Sequence, residues 1–436
     1  MTGKRNPDKT CALFWDESFL WGLIARRSLA DAGLPFDLIR AGDIRAGRLS
    51  RYRMIFVPGG WAREKLAALG APGRAAVRSF VNEGGAYLGI CGGAGLATEK
   101  DMGLVGIQRK PTPERVPSFS GRIRLALADS EIWNGVPSPV FSAWWPLQFH
   151  LPEGHTLRVL ASYAEALPDA MSADIPVGKG RKKGWPALEE RYGILLDPLR
   201  LQNEPAVVEG RFGQGRVLLS LVHFDTPGDA NGAAVLRNLW SSLMPGHPHP
   251  EKDVTHCRSR YATAGNDHAL ADIRRALEDL LATGQKYQLW RRRNPWLLEW
   301  RRGVRGMEYS TLAALTGEIA AHFCLTAPTQ NAGKKISGDL REDLQAIRDL
   351  VLPFQEKARQ LLEYEKRFLE QKPDPPALLS DDRISRLREE LFGTSIRHGG
   401  SFRTLIAAMD RLLYKLFTQE QKSSVPPVAG RRNISP

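Results

Sequence analysis

Cysteine is scarce in this chain: Cys11, Cys91, Cys257 and Cys324 are the 4 thiols in 436 residues. Their wide spacing fits neither a disulfide framework nor a Cys-x-x-Cys metal site, so a reducing compartment is the simpler reading. Long apolar runs are missing too. No stretch approaches the roughly 18 apolar residues of a membrane span. Met1–Lys9 is polar and charged, with no apolar core of signal-peptide length behind it. These absences predict a cytoplasmic protein with no transmembrane segment. A polybasic tail is also lacking: residues from Glu251 onward hold 31 basic and 24 acidic side chains, and those before it 30 and 24. The formal net charge of +13 is therefore spread over both halves, and it favours acidic partners or surfaces. The length allows two or three domains at ~100–200 residues each.

What is present in the first half is an alternation of short apolar runs and helical patterns. Cys11–Trp15 reads as a first strand, Phe19 to Ala32 as a helix closed by Gly33-Leu-Pro35, and Phe36–Ile39 as a second strand. Met54–Val57 is another buried strand running into Pro58-Gly-Gly60, and helical residues follow, with an apolar face on Ala75–Val81. Ala86–Ile90 is the next strand. Such spacing implies a mostly parallel, doubly wound sheet of flavodoxin-like type, in which ligands bind beyond the carboxyl ends of the strands. Further strands are expected at Gly121–Leu127, Phe141–Trp145, Leu157–Ala161, Ala206–Gly210 and Gly215–Val222, with a hairpin turn at Arg211–Gln214 and a closing helix from Asn231 to Met244. Between them lies an insert, about residues 165–203, that is too long for a simple connection. It contains the basic loop Gly178–Gly184, which reads as a solvated surface loop or a phosphate-holding one.

The chemistry concentrates at Tyr87-Leu-Gly-Ile-Cys-Gly-Gly-Ala-Gly95. A strand ends on a cysteine held between glycines, and Gly95–Glu99 reads as the start of a helix. A nucleophile at such a strand-to-helix turn is exposed at the sheet edge in a strained backbone position. The other reading is a buried structural cysteine on a glycine-rich turn. A nucleophilic cysteine needs a base, itself oriented by an acid. His223-Phe-Asp225 supplies both at the end of a late strand, and an extended His-x-Asp places the two side chains on one face. The backbone amides of Gly59, Gly60 and Gly92 are the candidate oxyanion donors; the alternative for Pro58–Gly60 is a tight turn needing positive φ.

Val57-Pro-Gly-Gly60, Gly89-Ile-Cys-Gly-Gly93 and the late His-x-acid together resemble the class I glutamine amidotransferase-like superfamily. The likeness is strongest to the domain at the N-terminus of fungal-type biotin–protein ligases, which also occurs alone in bacteria. It covers roughly residues 10–245 and includes Gly213-Gln-Gly-Arg-Val-Leu-Leu-Ser220, similar to that family's penultimate hairpin. The resemblance implies Cys91 as nucleophile, His223 as base and Asp225 as orienting acid. Where the superfamily usually ends in His-Pro-Glu, this chain has His223-Phe-Asp225. Gly178–Trp185 is faintly like the biotin-adenylate loop of the ligases, but it lies inside this half and no Lys-Trp-Pro-Asn-Asp-like segment follows it, so the ligase itself is expected to be absent.

Residues 246–266 read as a linker opened by Pro245-Gly-His-Pro-His-Pro250. Its His247, His249, His256 and Cys257 lack a paired ligand set, so neither a metal nor another cofactor is expected. Residues 267–420 form an expected all-α domain: helices at Asp267–Leu289, Glu308–Cys324, Asp339–Glu370 (broken or kinked near Pro353), Asp381–Leu391 and Phe402–Phe417, with a rigid linker at Lys372–Pro376. Residues 421–436 read as a disordered tail. Lys286–Arg302 interleaves arginines with Tyr287, Trp290, Trp296 and Trp300. It reads as a helix with tryptophans packed inside, or as a contact for nucleic acid or a membrane surface. Arg291, Arg292, Arg293, Arg301 and Arg302 are the candidate contacts to an anionic partner. Two functions follow. One is a cysteine-dependent hydrolase or amidotransferase-like protein acting on a small acyl (amide or ester) substrate. The other is a catalytically silent ligand-binding or assembly module whose helical domain docks on a protein partner or an anionic surface.

Overall fold

The computed structural model describes residues 9–244, 268–323, 338–371, 381–394 and 397–423. His247, His249, His256, Cys257, Cys324, the Lys372–Pro376 linker and residues 424–436 lie outside the described residues.

The apolar runs gather into one 11-stranded sheet. In the order Asp37–Ile39, Lys9–Phe14, Tyr52–Val57, Ala86–Ile90 and Gly215–Ser220, the strands pair in parallel. These are the continuous apolar runs, as strands covered on both faces require. From Gly215–Ser220 the sheet turns antiparallel through Pro205–Phe212, Arg158–Ala166 and Phe119–Leu127. Here alternation replaces the continuous run: Phe119–Leu127 is buried and exposed by turns over its second half. Val140–Trp144 and Met171–Ser172 both pair with Phe119–Leu127. The hairpin predicted at Arg211–Gln214 turns at Gly213, whose φ of 58° needs glycine.

Several local expectations change. The helix after Cys91 starts at once, as Gly92–Leu96, and does not begin at Gly95. Glycines with little helix propensity form it because its position is dictated by packing (below). The helical stretch after Pro58–Gly60 covers Ala62–Asn82, interrupted at Gly70 (φ 62°, ψ −179°) just before Pro72. The insert is structured, with short strands at Met171–Ser172 and Ile175–Pro176 and helices at Val177–Lys183 and Trp185–Tyr192. The basic loop is thus a helix, with Gly180 pressed against the Trp185 ring.

The later helices are His268–Lys286, Gly306–His322, Gly338–Gln371, Asp382–Phe392 and Gly400–Ser423. Gly338–Gln371 runs through Pro353 as one helix and packs along His268–Lys286 and Gly400–Ser423. Among the described residues no helix is long and apolar enough to cross a membrane. Past Lys286, which ends the preceding helix, the stretch to Arg302 is neither helical nor a separate patch. Trp290–Arg292 and Leu298–Trp300 form an antiparallel hairpin with Trp290 opposite Trp300. The pairing puts Trp290 and Trp300 on one face of the ribbon and Arg291 opposite Glu299 on the other, a β-element set among helices in the described residues after 267.

The helical part rests on the sheet part through a shared core. Trp15 meets the Phe417 ring edge-on, with centroids 5.5 Å apart, and Arg26 lies 3.6 Å over the same ring. Among the described residues the ion pairs Arg403–Glu17, Arg397–Glu64 and Arg40–Asp410 also join the two parts.

Candidate active site at the carboxyl edge of the parallel strands

The Ala86–Ile90 strand is wholly buried and flanked by Tyr52–Val57 and Gly215–Ser220. Its parallel neighbours therefore deliver Pro58-Gly-Gly60 and, through Leu221 and Val222, His223 to the edge where Cys91 stands. Cys91 adopts φ 50° and ψ −108°, a backbone conformation that costs a residue with a β-carbon roughly 1–3 kcal/mol. The turn is tight because the next residues have no side chains. A β-carbon on Gly92 would lie 1.8 Å from the Gly60 carbonyl oxygen, and one on Gly93 would lie 1.9 Å from that of Val57. The elbow is thus in direct backbone contact with the Pro58–Gly60 turn. The Cys91 amide donates to Ser220 O at 2.7 Å, and the buried Tyr87 hydroxyl donates to Gly93 O at 2.7 Å. The sulfur is half-buried and lies 3.8 Å from Trp144 O.

His223 Nδ1 is 2.9 Å from Asp225 Oδ1, and both side chains are fully buried. The contact does not depend on the extended backbone expected of His-x-Asp. The strand stops at Ser220, and residues 223–226 form a turn in which the Thr226 amide donates to His223 O at 3.3 Å. This turn, with Phe224 between His223 and Asp225, is held by packing. Phe224 is buried edge-on against Phe141 (5.2 Å) and Trp133 (6.0 Å). Ser28 Oγ donates to Asp225 O at 2.7 Å, and the His223 amide donates to Ser142 O at 2.7 Å.

The imidazole is wedged between Trp21, whose ring centroid is 4.8 Å away, and Gly59, whose β-carbon would meet its Cε1 at 3.3 Å. Its Nε2 has no hydrogen-bond partner among the described residues. Burial opposes a charge on this ring. The Asp225 carboxylate, by charge and hydrogen bond, and then the Cys91 side chain outweigh it and push the ring up to about 9. The Cys91 sulfur does so without meeting hydrogen-bond geometry at Nε2. With its charged form favoured, the ring is placed to hold a proton that the neighbouring sulfur gives up. Cys11 is the contrast. It is buried in the middle of a strand, and burial pushes its thiol well up.

Gly59, Gly60 and Gly92 are brought together beside Cys91. The Gly92 amide belongs to the first helical turn and so has no acceptor within the helix. Beneath Gly60 sits a residue that sequence reasoning passes over. Lys65 is fully buried, with Nζ 2.5 Å from Ser18 Oγ, 3.2 Å from Glu17 O and 3.4 Å from Asp16 O. Burial pulls it down to about 7 against the upward pull of Glu17, Asp16 and Asp410. Trp21 escapes it as well, because each side chain lies in a helix where a lone tryptophan or lysine gives no signal.

Of the five arginines expected to face an anionic partner, three are engaged inside the chain. Arg291 pairs with Glu299 at 2.9 Å. Arg293 donates to Ser120 Oγ and O at 2.8 and 2.9 Å and lies over the Trp144 ring. Arg302 donates to Tyr192 O at 2.5 Å. Arg292 and Arg301 form no side-chain ion pair among the described residues. The hairpin also stacks Trp300 on Trp145 at 5.2 Å, next to the Trp144 carbonyl that meets the sulfur.

No family model matches the chain, and no curated protein does. Solved structures give weak overlaps. A GMP synthase subunit protein from Thermoplasma acidophilum is 14% identical, with a TM-score of 0.35, over 55% of this chain and 96% of its own. PurLQS from Thermotoga maritima is 14% identical at a TM-score of 0.34, over 55% of this chain and 100% of its own. A ThuA-like protein from Bacteroides uniformis is 11% identical at 0.35, over 56% and 94%. Likeness at this level carries no chemistry across, and the site stands on its own geometry.

Proposed function

We propose that the chain is a cysteine-dependent acyl-transfer or hydrolytic protein of class I glutamine amidotransferase-like type, acting on an amide or ester through Cys91, His223 and Asp225. The observation that carries this reading is the fully buried His223–Asp225 pair, with Nε2 left unpartnered, beside a cysteine in a strained elbow. In the first step the sulfur attacks the acyl carbon, forming an S–C bond while the C–N or C–O bond to the leaving group breaks. The proton from the thiol, held on His223, passes to the leaving amine or alcohol. Water then attacks the thioester, giving its proton to His223 and releasing the acid with Cys91 restored. Asp225 fixes the imidazole tautomer, and amides at Gly60 and Gly92 take up the developing oxyanion charge. The biotin–protein ligase N-terminal domain is the family to which this reading attaches the sheet part.

The test is intact-mass spectrometry with a small dose of iodoacetamide, comparing wild type with Cys91→Ala and His223→Ala. One fast adduct that vanishes in the first variant and slows about a hundredfold in the second supports the proposal. Comparable labelling of all four cysteines, unaffected by His223, overturns it and favours a silent binding module.

A further inference from the structure

The Pro58–Gly60 turn is supported from an unexpected direction. Gly60 has φ 109°, and a β-carbon there would sit 2.9 Å from the backbone oxygen of Glu17, so the turn rests on that peptide. Glu17 is itself strained, with φ 56°, and Phe19 two residues on has φ 41°. Neither is a glycine, so each conformation must be imposed by contacts. From below, buried Lys65 gathers the carbonyls of Asp16 and Glu17 and the Ser18 hydroxyl. From the far part of the chain, Arg403 on the Gly400–Ser423 helix forms a two-point pair with the Glu17 carboxylate, at 2.6 and 2.5 Å. Its guanidinium also lies 5.3 Å over the Phe19 ring. The same loop leads into the helix that carries Trp21, the ring stacked on His223.

We propose that Arg403 is a positioning residue of the site: the helical part, by clamping Glu17, holds the Gly60 turn in register with Cys91. This inference rests on the acyl-transfer reading above. It gives the helical part a role in the reaction that needs no partner or ligand. A two-point guanidinium–carboxylate pair fixes orientation as well as distance, and the chain of contacts it acts through is short. Arg403 holds Glu17, the Glu17 backbone oxygen abuts Gly60, and Gly60 abuts Gly92. Without the clamp the Glu17 loop relaxes out of its positive-φ conformation and the turn moves. A displacement of about 1 Å at a reacting centre is enough to cost on the order of a hundredfold in rate.

Two reactions of the same sulfur separate this role from a merely structural one. Alkylation by iodoacetamide is a displacement at a saturated carbon and builds no oxyanion. Acylation by p-nitrophenyl acetate passes through a tetrahedral oxyanion, forms the S–C bond to the acetyl carbon and expels nitrophenolate with the bonding electron pair. The experiment compares both rates in the full chain for wild type, Arg403→Leu, Arg403→Lys, Glu17→Gln and the exchanged pair Glu17→Arg with Arg403→Glu. The expected result is acylation lowered about tenfold or more in Arg403→Leu and in Glu17→Gln, with alkylation changed less than about twofold. Partial recovery is expected in Arg403→Lys and in the exchanged pair. Parallel loss of both rates, or no loss of either, overturns the inference while leaving the acyl-transfer reading standing. A wild-type acylation that survives Cys91→Ala overturns the reading itself, and the inference falls with it.

Discussion

Two stretches of this chain stand out for their composition: the glycine-rich run around Cys91 and the arginine–tryptophan run 286–302. They use their side chains in opposite ways. Around Cys91 the structure leaves polar capacity unused, with a buried imidazole nitrogen lacking a partner and a strained cysteine beside it. In the hairpin most of that capacity is taken up internally, by Glu299, Ser120, Tyr192 O and the rings of Trp144 and Trp145. A high density of charged side chains says little about a site until their partners are known. An unpaired buried group says more, because leaving one costs roughly 1–3 kcal/mol that folding must offset.

The contrast can be broken most directly at Gly92. Replacing it with alanine puts a methyl group 1.8 Å from the Gly60 oxygen, with backbone on both sides and nothing flexible to yield. We expect destabilisation on the order of 3 kcal/mol and loss of the fast Cys91 adduct. A Gly92→Ala protein that melts and labels like wild type would refute the tight elbow.

Next in size is a pH effect. The His223 ring is pushed up to about 9 in the folded chain, against roughly 6.5 in an unfolded one. Its protonated form is therefore the stabilising one. That stability is present in full below about pH 6.5 and is lost as pH rises through about 9. Urea unfolding of wild type beside His223→Gln should show a wild-type advantage that shrinks across this interval. A difference that stays constant, or grows towards alkaline pH, contradicts the Asp225-held imidazolium.

The smallest effects sharpen the comparison from the other side. Arg293→Leu strips the hairpin's bonds to buried Ser120 and should cost about 2 kcal/mol. Arg292→Leu, at an exposed position, should stay within about 0.5 kcal/mol. Equal effects from the two would return the hairpin to the status of a free basic surface.

How much of this is legible in the sequence follows from distance along the chain. The Ala86–Ile90 strand, the turn at Pro58–Gly60 and the pairing of His223 with Asp225 are short-range patterns, and each occurs where the residues place it. The pairing forms even though the extended backbone assumed for it does not. The helix onset at Gly92 is invisible locally because its cause is a contact with Gly60, 32 positions earlier, that no propensity encodes. Trp21 over His223, Lys65 under Gly60 and Arg403 on Glu17 join residues remote in sequence. Each is ordinary where it stands and acquires meaning only in three dimensions. The hairpin is ambiguous because arginine and tryptophan at close intervals suit either period, and only the pairing of Trp290 with Trp300 decides between them.

The Trp15–Phe417 contact has a consequence for inheritance and for handling in the laboratory. The proline-rich stretch after Met244 invites a cut, as if two modules had been tied together. A fragment ending there would lose the Phe417 ring that lies against Trp15, wholly buried in the intact chain, and under Arg26. Such a fragment should precipitate rather than survive as a weaker version of the whole. A gene rearrangement that parted the halves would have to supply new cover for this face before its chemistry could be of use.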